Sequence, residues 1–250
     1  MATILVTGAN RGIGYAIVQA IGTRFPSSTI ILGCRSTDAA KDAIGSLPAD
    51  GVKAQLFYVE LDIENDASVE AAVALIDRDY GKLDVLINNA GRVEKRVSVS
   101  LPHIRAASNS CFNNLITSNA VITHAFDLLL RNSSWPRVIM ISSARGSAGR
   151  TTSNQLPPVA NIDYCVSKAG LNMLMIHLQT VENHRQDANR ITFWAVSPGY
   201  CSTAFNGYKG KKAPLEGAEA VVRLVEARRD EIEPGTFWEY EDDRFQQVPW

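Results

Sequence analysis

The sequence predicts a single α/β domain built on one doubly wound parallel sheet of about seven strands, with helices on both faces. Three observations predict it. Strand-like runs alternate with segments of helical spacing along all 250 residues. A glycine-rich turn, Thr7-Gly8-Ala9-Asn10-Arg11-Gly12-Ile13-Gly14, joins the first strand to the first helix. No repeat, low-complexity tract or Pro/Gly-rich linker marks a second domain, so residues 1–250 are read as one unit.

Taken in order, the strands are expected at Ile4–Val6, Thr29–Gly33, Ala54–Val59, Val85–Ile87, Val138–Ile141, Ile191–Val196 and Thr236–Trp238. The helices between them are expected at Ile13–Arg24, Ala39–Ser46, Ser68–Tyr80, Cys111–Leu130, Tyr164–Val181 and Leu215–Arg228. Such alternation forces right-handed crossovers and a parallel sheet covered on both sides. Three stretches resist regular assignment: Arg92–Ser110, Ala144–Asp163 and Pro198–Ala213. Each follows a strand, so all three gather at the carboxyl edge of the sheet, where open α/β folds bind ligands.

Composition narrows the partners. A formal charge of -1 gives no reason to expect nucleic acid or an anionic membrane. No apolar run approaches the ~20 residues that span a bilayer, and the first strand begins almost at Met1, so a cytoplasmic protein is expected. Cys34, Cys111, Cys165 and Cys201 are scattered without a CxxC pair and read as free thiols. His177 and His184 lack a third ligand nearby, so no metal site is expected.

The glycine turn carries the first chemical assignment. Three glycines at this spacing let the chain turn off a strand, bring bare backbone against a pyrophosphate and pack the next helix close. Gly8, Asn10, Arg11, Gly12, Ile13 and Gly14 are therefore candidate cofactor contacts, with the phosphates at the helix N-terminus. The second strand ends Gly33-Cys34-Arg35-Ser36, placing Arg35 where an acid would hold a ribose 2′-hydroxyl. Arg35 and Arg11 are two permanently charged forks that suit a 2′-phosphate, so NADPH/NADP+ is favoured over NADH, with Asp38 the nearby acid that argues the other way.

Tyr164 and Lys168 stand at i and i+4, on one helix face, where an ammonium can lower a tyrosine pKa. Upstream, Ile139-Met140-Ile141-Ser142-Ser143 reads as a strand ending in hydroxyls at the same edge, and Ser143 can donate to a carbonyl oxygen. Asn88-Asn89-Ala90-Gly91 places a small turn after the fourth strand.

With these residues in this order, the chain resembles the short-chain dehydrogenase/reductase family. The resemblance runs through Gly8, Gly12, Gly14, Leu61-Asp62-Ile63, Asn88 to Gly91, Ser143, Tyr164, Lys168, Ser197-Pro198-Gly199 and Thr203. Within the family it is most similar to NADPH-dependent carbonyl reductases of Rossmann-type fold. The resemblance implies that Tyr164 protonates a carbonyl oxygen, Ser143 polarises it, and Lys168 holds the nicotinamide ribose and depresses the tyrosine pKa. It implies that Asp62 and Ile63 contact adenine, that Asn89, Ala90 and Gly91 pack along the cofactor, and that Pro198, Gly199 and Thr203 flank the nicotinamide amide.

One departure stands out. The family carries an asparagine in the helix before the Ser-bearing strand, and alignment puts Leu115 at that place, with Asn114 one residue earlier. One residue rotates a helical side chain by ~100°. Either a local bulge restores Asn114 to the site or the proton relay is altered.

The expected function is NADPH-dependent reduction of a ketone, aldehyde or quinone-like small-molecule carbonyl to an alcohol. A tailoring reductase for an imine or polyketide-like intermediate, with Phe205 and Tyr208 in a lid, is the alternative, and a cofactor-binding sensor or scaffold is a third reading. The resemblance also implies a homo-oligomer, dimer or tetramer, through the two long helices, with a monomer as the alternative because the gap between Ser143 and Tyr164 is longer than usual for the family. Leu171, Leu174 and Leu178 serve either that contact or the core.

Overall fold

A computed structural model of the chain describes residues 2–93, 100–186 and 189–250. Eight strands form one sheet: β1 (Thr3–Thr7), β2 (Thr29–Cys34), β3 (Gln55–Glu60), β4 (Val85–Asn88), β5 (Arg137–Ile141), β6 (Thr192–Ser197), β7 (Thr236–Glu241) and β8 (Arg244–Gln247). Their spatial order is β3-β2-β1-β4-β5-β6-β7-β8. All neighbours are parallel except β7 and β8. The chain reverses its direction of growth between β1 and β4, which opens a crevice at their carboxyl ends.

The apolar strands build two cores by alternation. Ile4 and Val6 of β1, Val85 and Ile87 of β4, and Ile139 and Ile141 of β5 enter one cluster. Their neighbours Leu5, Leu86, Val138 and Met140 enter the other. Side chains two apart share a face, so one continuous apolar run serves both layers. The first layer is closed by α1 (Gly12–Arg24), α2 (Thr37–Ser46) and α9 (Pro214–Glu226). The second is closed by α3 (Asp66–Tyr80), α5 (Ser118–Ala125), α6 (Asp127–Arg131) and α8 (Ile162–Asn183), with α4 (Leu101–Phe112) lying against α8.

Three features were not anticipated, and a fourth realises one of the two alternatives left open at Asn114. The eighth strand closes a hairpin on β7 through Asp242 and Asp243, both in the left-handed region at φ 50 and 56, as a tight hairpin turn requires. Within Arg92–Ser110, residues 94–99 lie outside the described residues, but Leu101 onward is helix, started by Pro102 in its first turn after Ser100. A short helix, α7 (Ala148–Thr152), interrupts the stretch between Ser143 and Tyr164. The expected helix Cys111–Leu130 is broken by a π-turn at Asn113–Thr117. The carbonyls that the turn disturbs find side-chain partners: Ser118 Oγ donates to Asn113 O (3.0 Å) and Asn119 Nδ2 to Leu115 O (3.0 Å).

On α8, Leu171 is fully buried, and Leu174 and Leu178 pack against the second core. The large apolar residues exposed on that helix are Ile162, Val166, Met173 and Val181.

Candidate active site

The glycine loop is tied down at both ends. Gly8 N donates to Gly33 O (2.7 Å), joining it to the end of β2. Thr7 Oγ1 accepts from Asn89 N and Ala90 N (both 2.9 Å), while Asn89 Nδ2 donates to Thr7 O (2.8 Å) and Gly8 O (3.2 Å). The Asn-Asn-Ala-Gly turn is thus the clamp that holds the loop against β4. Gly14 is the close-packing position: a Cβ there would sit 2.3 Å from Gly8 O and 2.5 Å from Asn89 Nδ2. Only a hydrogen fits between helix and loop.

Arg11 immediately precedes α1, and Arg35 immediately follows β2; both are exposed. Neither has a hydrogen-bonded or ion-pair partner among the described residues, and β1 and β2 are neighbours, so two uncompensated guanidinium groups flank one end of the crevice. Asp62 lies just past β3, where its Oδ1 accepts from Glu64 N (3.1 Å); Ile63 beside it is buried. Pro198, Gly199 and Thr203 follow β6, and Thr203 stands over the loop, its Cγ2 3.6 Å from where a Gly12 Cβ would be.

The second half of the site is set by a cap. Asn161 Oδ1 accepts from Tyr164 N (3.3 Å), starting α8 so that Tyr164 falls in its first turn and Lys168 one turn on. Ser143, leaving β5, stands beside the Tyr164 hydroxyl, and its Oγ accepts from Arg145 N (3.2 Å). Lys168 is buried, its Nζ donating to Ile141 O (2.7 Å) and lying 5.8 Å from the Tyr164 ring centre. Phe205 covers Tyr164 from the lid side, ring centres 5.9 Å apart.

Electrostatics here differ from the sequence expectation. Burial pushes the Tyr164 hydroxyl up to about 12, and the neighbouring Ser143 hydroxyl works against that rise. Burial likewise pushes the Lys168 ammonium down from 10.5 to about 8. Desolvation of a cation and of a phenolate both disfavour charge, so the pair rests as a neutral phenol above a destabilised ammonium.

Asn114 lies in the π-turn and is buried, so the local bulge does exist. Its side chain is engaged at both atoms: Oδ1 accepts from Arg92 N (2.7 Å) and Nδ2 donates to Glu64 Oε2 (2.8 Å). Glu64 in turn takes Arg92 in a two-pronged pair, Nε at 2.9 Å and Nη2 at 3.3 Å, and Asn113 Nδ2 at 3.1 Å. Burial works to raise the Glu64 carboxyl, but these donors outweigh it and hold it below the usual range. Neither Glu64 nor Arg92 was singled out from the sequence. They lie 28 residues apart and no spacing rule pairs them.

Among the described residues, no three His, Cys, Asp or Glu side chains are grouped to hold a metal ion, and no helix is long and apolar enough to cross a membrane. All four cysteines are free.

Comparison with known proteins places this arrangement. A family model described as short chain dehydrogenase matches residues 2–214. A short-chain dehydrogenase/reductase of Aspergillus fumigatus is 40% identical over 258 residues, covering 99% of this chain and 97% of that protein. Carbonyl reductase [NADPH] 1 of Bos taurus is 30% identical over 255 residues, covering 88% of this chain and 89% of the other. The structure of carbonyl reductase Sniffer of D. melanogaster superposes with a TM-score of 0.81 at 22% identity, with 100% of both chains covered.

Proposed function

We propose, starting from the fact that this chain belongs to the short chain dehydrogenase family, that it is an NADPH-dependent reductase turning a ketone, aldehyde or quinone-like carbonyl into an alcohol. The observation that carries the reading is the Ser143–Tyr164 hydroxyl pair standing above buried Lys168, at the same sheet edge as the glycine loop. The similarity to carbonyl reductase [NADPH] 1 supports both cofactor and reaction class.

The crevice fits the cofactor by its own geometry. Bare backbone at the loop can approach a pyrophosphate, and the two unpaired guanidinium groups of Arg11 and Arg35 would hold a 2′-phosphate. Asp62 and Ile63 would border the adenine, Asn89 to Gly91 the middle of the cofactor, and Pro198, Gly199 and Thr203 its nicotinamide end. When bound, NADPH supplies the hydride that reaches the carbonyl carbon.

The remaining steps belong to side chains. Ser143 would donate to the carbonyl oxygen, polarising it and orienting it toward Tyr164. Tyr164 would give that oxygen its proton, and its raised pKa keeps the phenol protonated throughout the neutral range. Lys168 would trade its bond to Ile141 O for ribose hydroxyls. Asn114, whose amide is held by Glu64 and Arg92, would enter a proton relay by exchanging one of those bonds for a water.

The test is NADPH consumption against α-dicarbonyls, quinones, aromatic aldehydes and bulky ketones, with Tyr164→Phe alongside. Turnover by the wild type that falls at least 100-fold in the variant, within the range of general-acid contributions, is the expected result. Unchanged turnover in Tyr164→Phe would remove Tyr164 as the acid.

A further inference from the structure

Asn172 sits on α8 one turn beyond Lys168, 3% exposed, facing the end of β5 rather than any ligand surface. A leucine would fill such a place at no polar cost, whereas a buried amide must find partners for its oxygen and nitrogen. Asn172 finds them at two points on one loop. Its Oδ1 accepts from Ser142 Oγ at 2.6 Å, and its Nδ2 donates to Gly146 O at 3.3 Å. Ser142 also reaches Lys168 O at 3.4 Å. Between those points the chain turns tightly, Gly146 N donating to Ser143 O at 2.8 Å and Ala144 N to Ser197 Oγ at 3.0 Å. At Gly146 the turn is pressed on α8 so closely that a Cβ would lie 2.6 Å from the Lys168 carbonyl carbon and 2.9 Å from Ala169 N.

Ser143 is the residue strung between these two anchorages. We propose that Asn172 is a positioning residue, whose amide clamps both sides of Ser143 to α8 and so fixes the serine hydroxyl relative to Tyr164. The clamp spans the helix that carries Tyr164 and Lys168 and the loop that carries Ser143, so it sets the distance between the two halves of the site. Its catalytic consequence rests on the reductase reading above; its effect on the Ser143–Tyr164 contact does not.

The experiment is a double-mutant cycle of Asn172→Leu with Ser143→Ala, read by kinetics and by the 13Cζ resonance of Tyr164, assigned with Tyr164→Phe. If the clamp acts through Ser143, Asn172→Leu lowers kcat ~10-fold and leaves the NADPH dissociation constant within twofold. It then adds nothing in the Ser143→Ala background, because the interaction is already lost. The Tyr164 resonance moves in the same direction in both single variants and no further in the double. Asn172→Asp, which keeps the acceptor for Ser142 and loses the donor to Gly146, falls between wild type and leucine, and it replaces the leucine variant if that one fails to fold. Additive losses, or a Tyr164 signal that ignores Asn172, would overturn the proposal. If the wild type reduces no carbonyl, the reductase reading fails by itself, and the resonance still decides whether Asn172 governs the Ser143–Tyr164 contact.

Discussion

Replacing Lys168 by methionine should make the cofactor-free protein more stable near neutral pH while abolishing the chemistry proposed for it. Lys168 is 7% exposed, and its pKa falls from 10.5 to about 8 because burial strips water from the ammonium. At about 1.4 kcal/mol per tenfold, that displacement costs the folded state about 3 kcal/mol. Methionine removes the cost but also the Nζ donor to Ile141 O, a loss of about 1 kcal/mol. The net gain is about 2 kcal/mol, or a Tm increase of roughly 4–8 °C for a domain of this size. The sign follows from proton counting. Between pH 8 and 10.5 the unfolded chain holds the lysine proton and the folded chain does not, so wild-type stability rises with pH there. The penalty is complete below pH 8 and fades above it, and the advantage of Lys168→Met should vanish near pH 10. Thermal melts by circular dichroism at pH 7 and pH 10 read both effects. A variant that melts at or below the wild type at pH 7, or whose advantage does not shrink by pH 10, refutes the desolvation argument.

Other substitutions test separate parts of the structure. Arg35→Ala should raise the NADPH dissociation constant by ~10-fold or more, as loss of a charge-assisted contact to phosphate does, and change NADH binding little; equal losses measured by fluorescence titration would contradict a 2′-phosphate role. Gly14→Ala should abolish cofactor binding or cost more than about 2 kcal/mol in a denaturant melt, since the new methyl meets backbone at 2.3 Å that cannot yield. Glu182, 3% exposed, takes Arg131 Nη2 at 2.8 Å and Ile191 N at 2.9 Å. Removing it in Glu182→Ala leaves Ile191 N without its acceptor and Arg131 with Asp127 as its remaining carboxylate, which should cost about 2 kcal/mol and lower Tm by roughly 4–8 °C. Glu182→Gln, which can still accept from Ile191 N, should lose less.

The placement of the seven parallel strands and of the glycine loop was legible because those features are local. Strand β1 runs Thr3–Thr7 where Ile4–Val6 was expected, and α1 runs Gly12–Arg24 where Ile13–Arg24 was expected. A fully apolar run and a cap-and-period pattern carry their signal within a few residues. The signal fails where polar composition masks an element. Arg244-Phe245-Gln246-Gln247 has little strand character, and only pairing with β7 after the Asp242-Asp243 turn makes it β8. Leu101–Phe112 is rich in Ser and Asn, and its one local marker is Pro102 after Ser100.

The sequence by itself determined which residue types stand at the sheet edge: three glycines, two arginines after neighbouring elements, a serine at the end of β5, and a tyrosine and lysine one helical turn apart. Those assignments depend on chain order and periodicity, which are written in the sequence. Only the tertiary structure decided how the groups are wired. The Glu64–Arg92–Asn114 cluster and the Asn172 clamp each join segments far apart in the chain. The direction in which Tyr164 and Lys168 shift likewise comes from the fold, because desolvation depends on what surrounds a group in space and not on its neighbours in sequence.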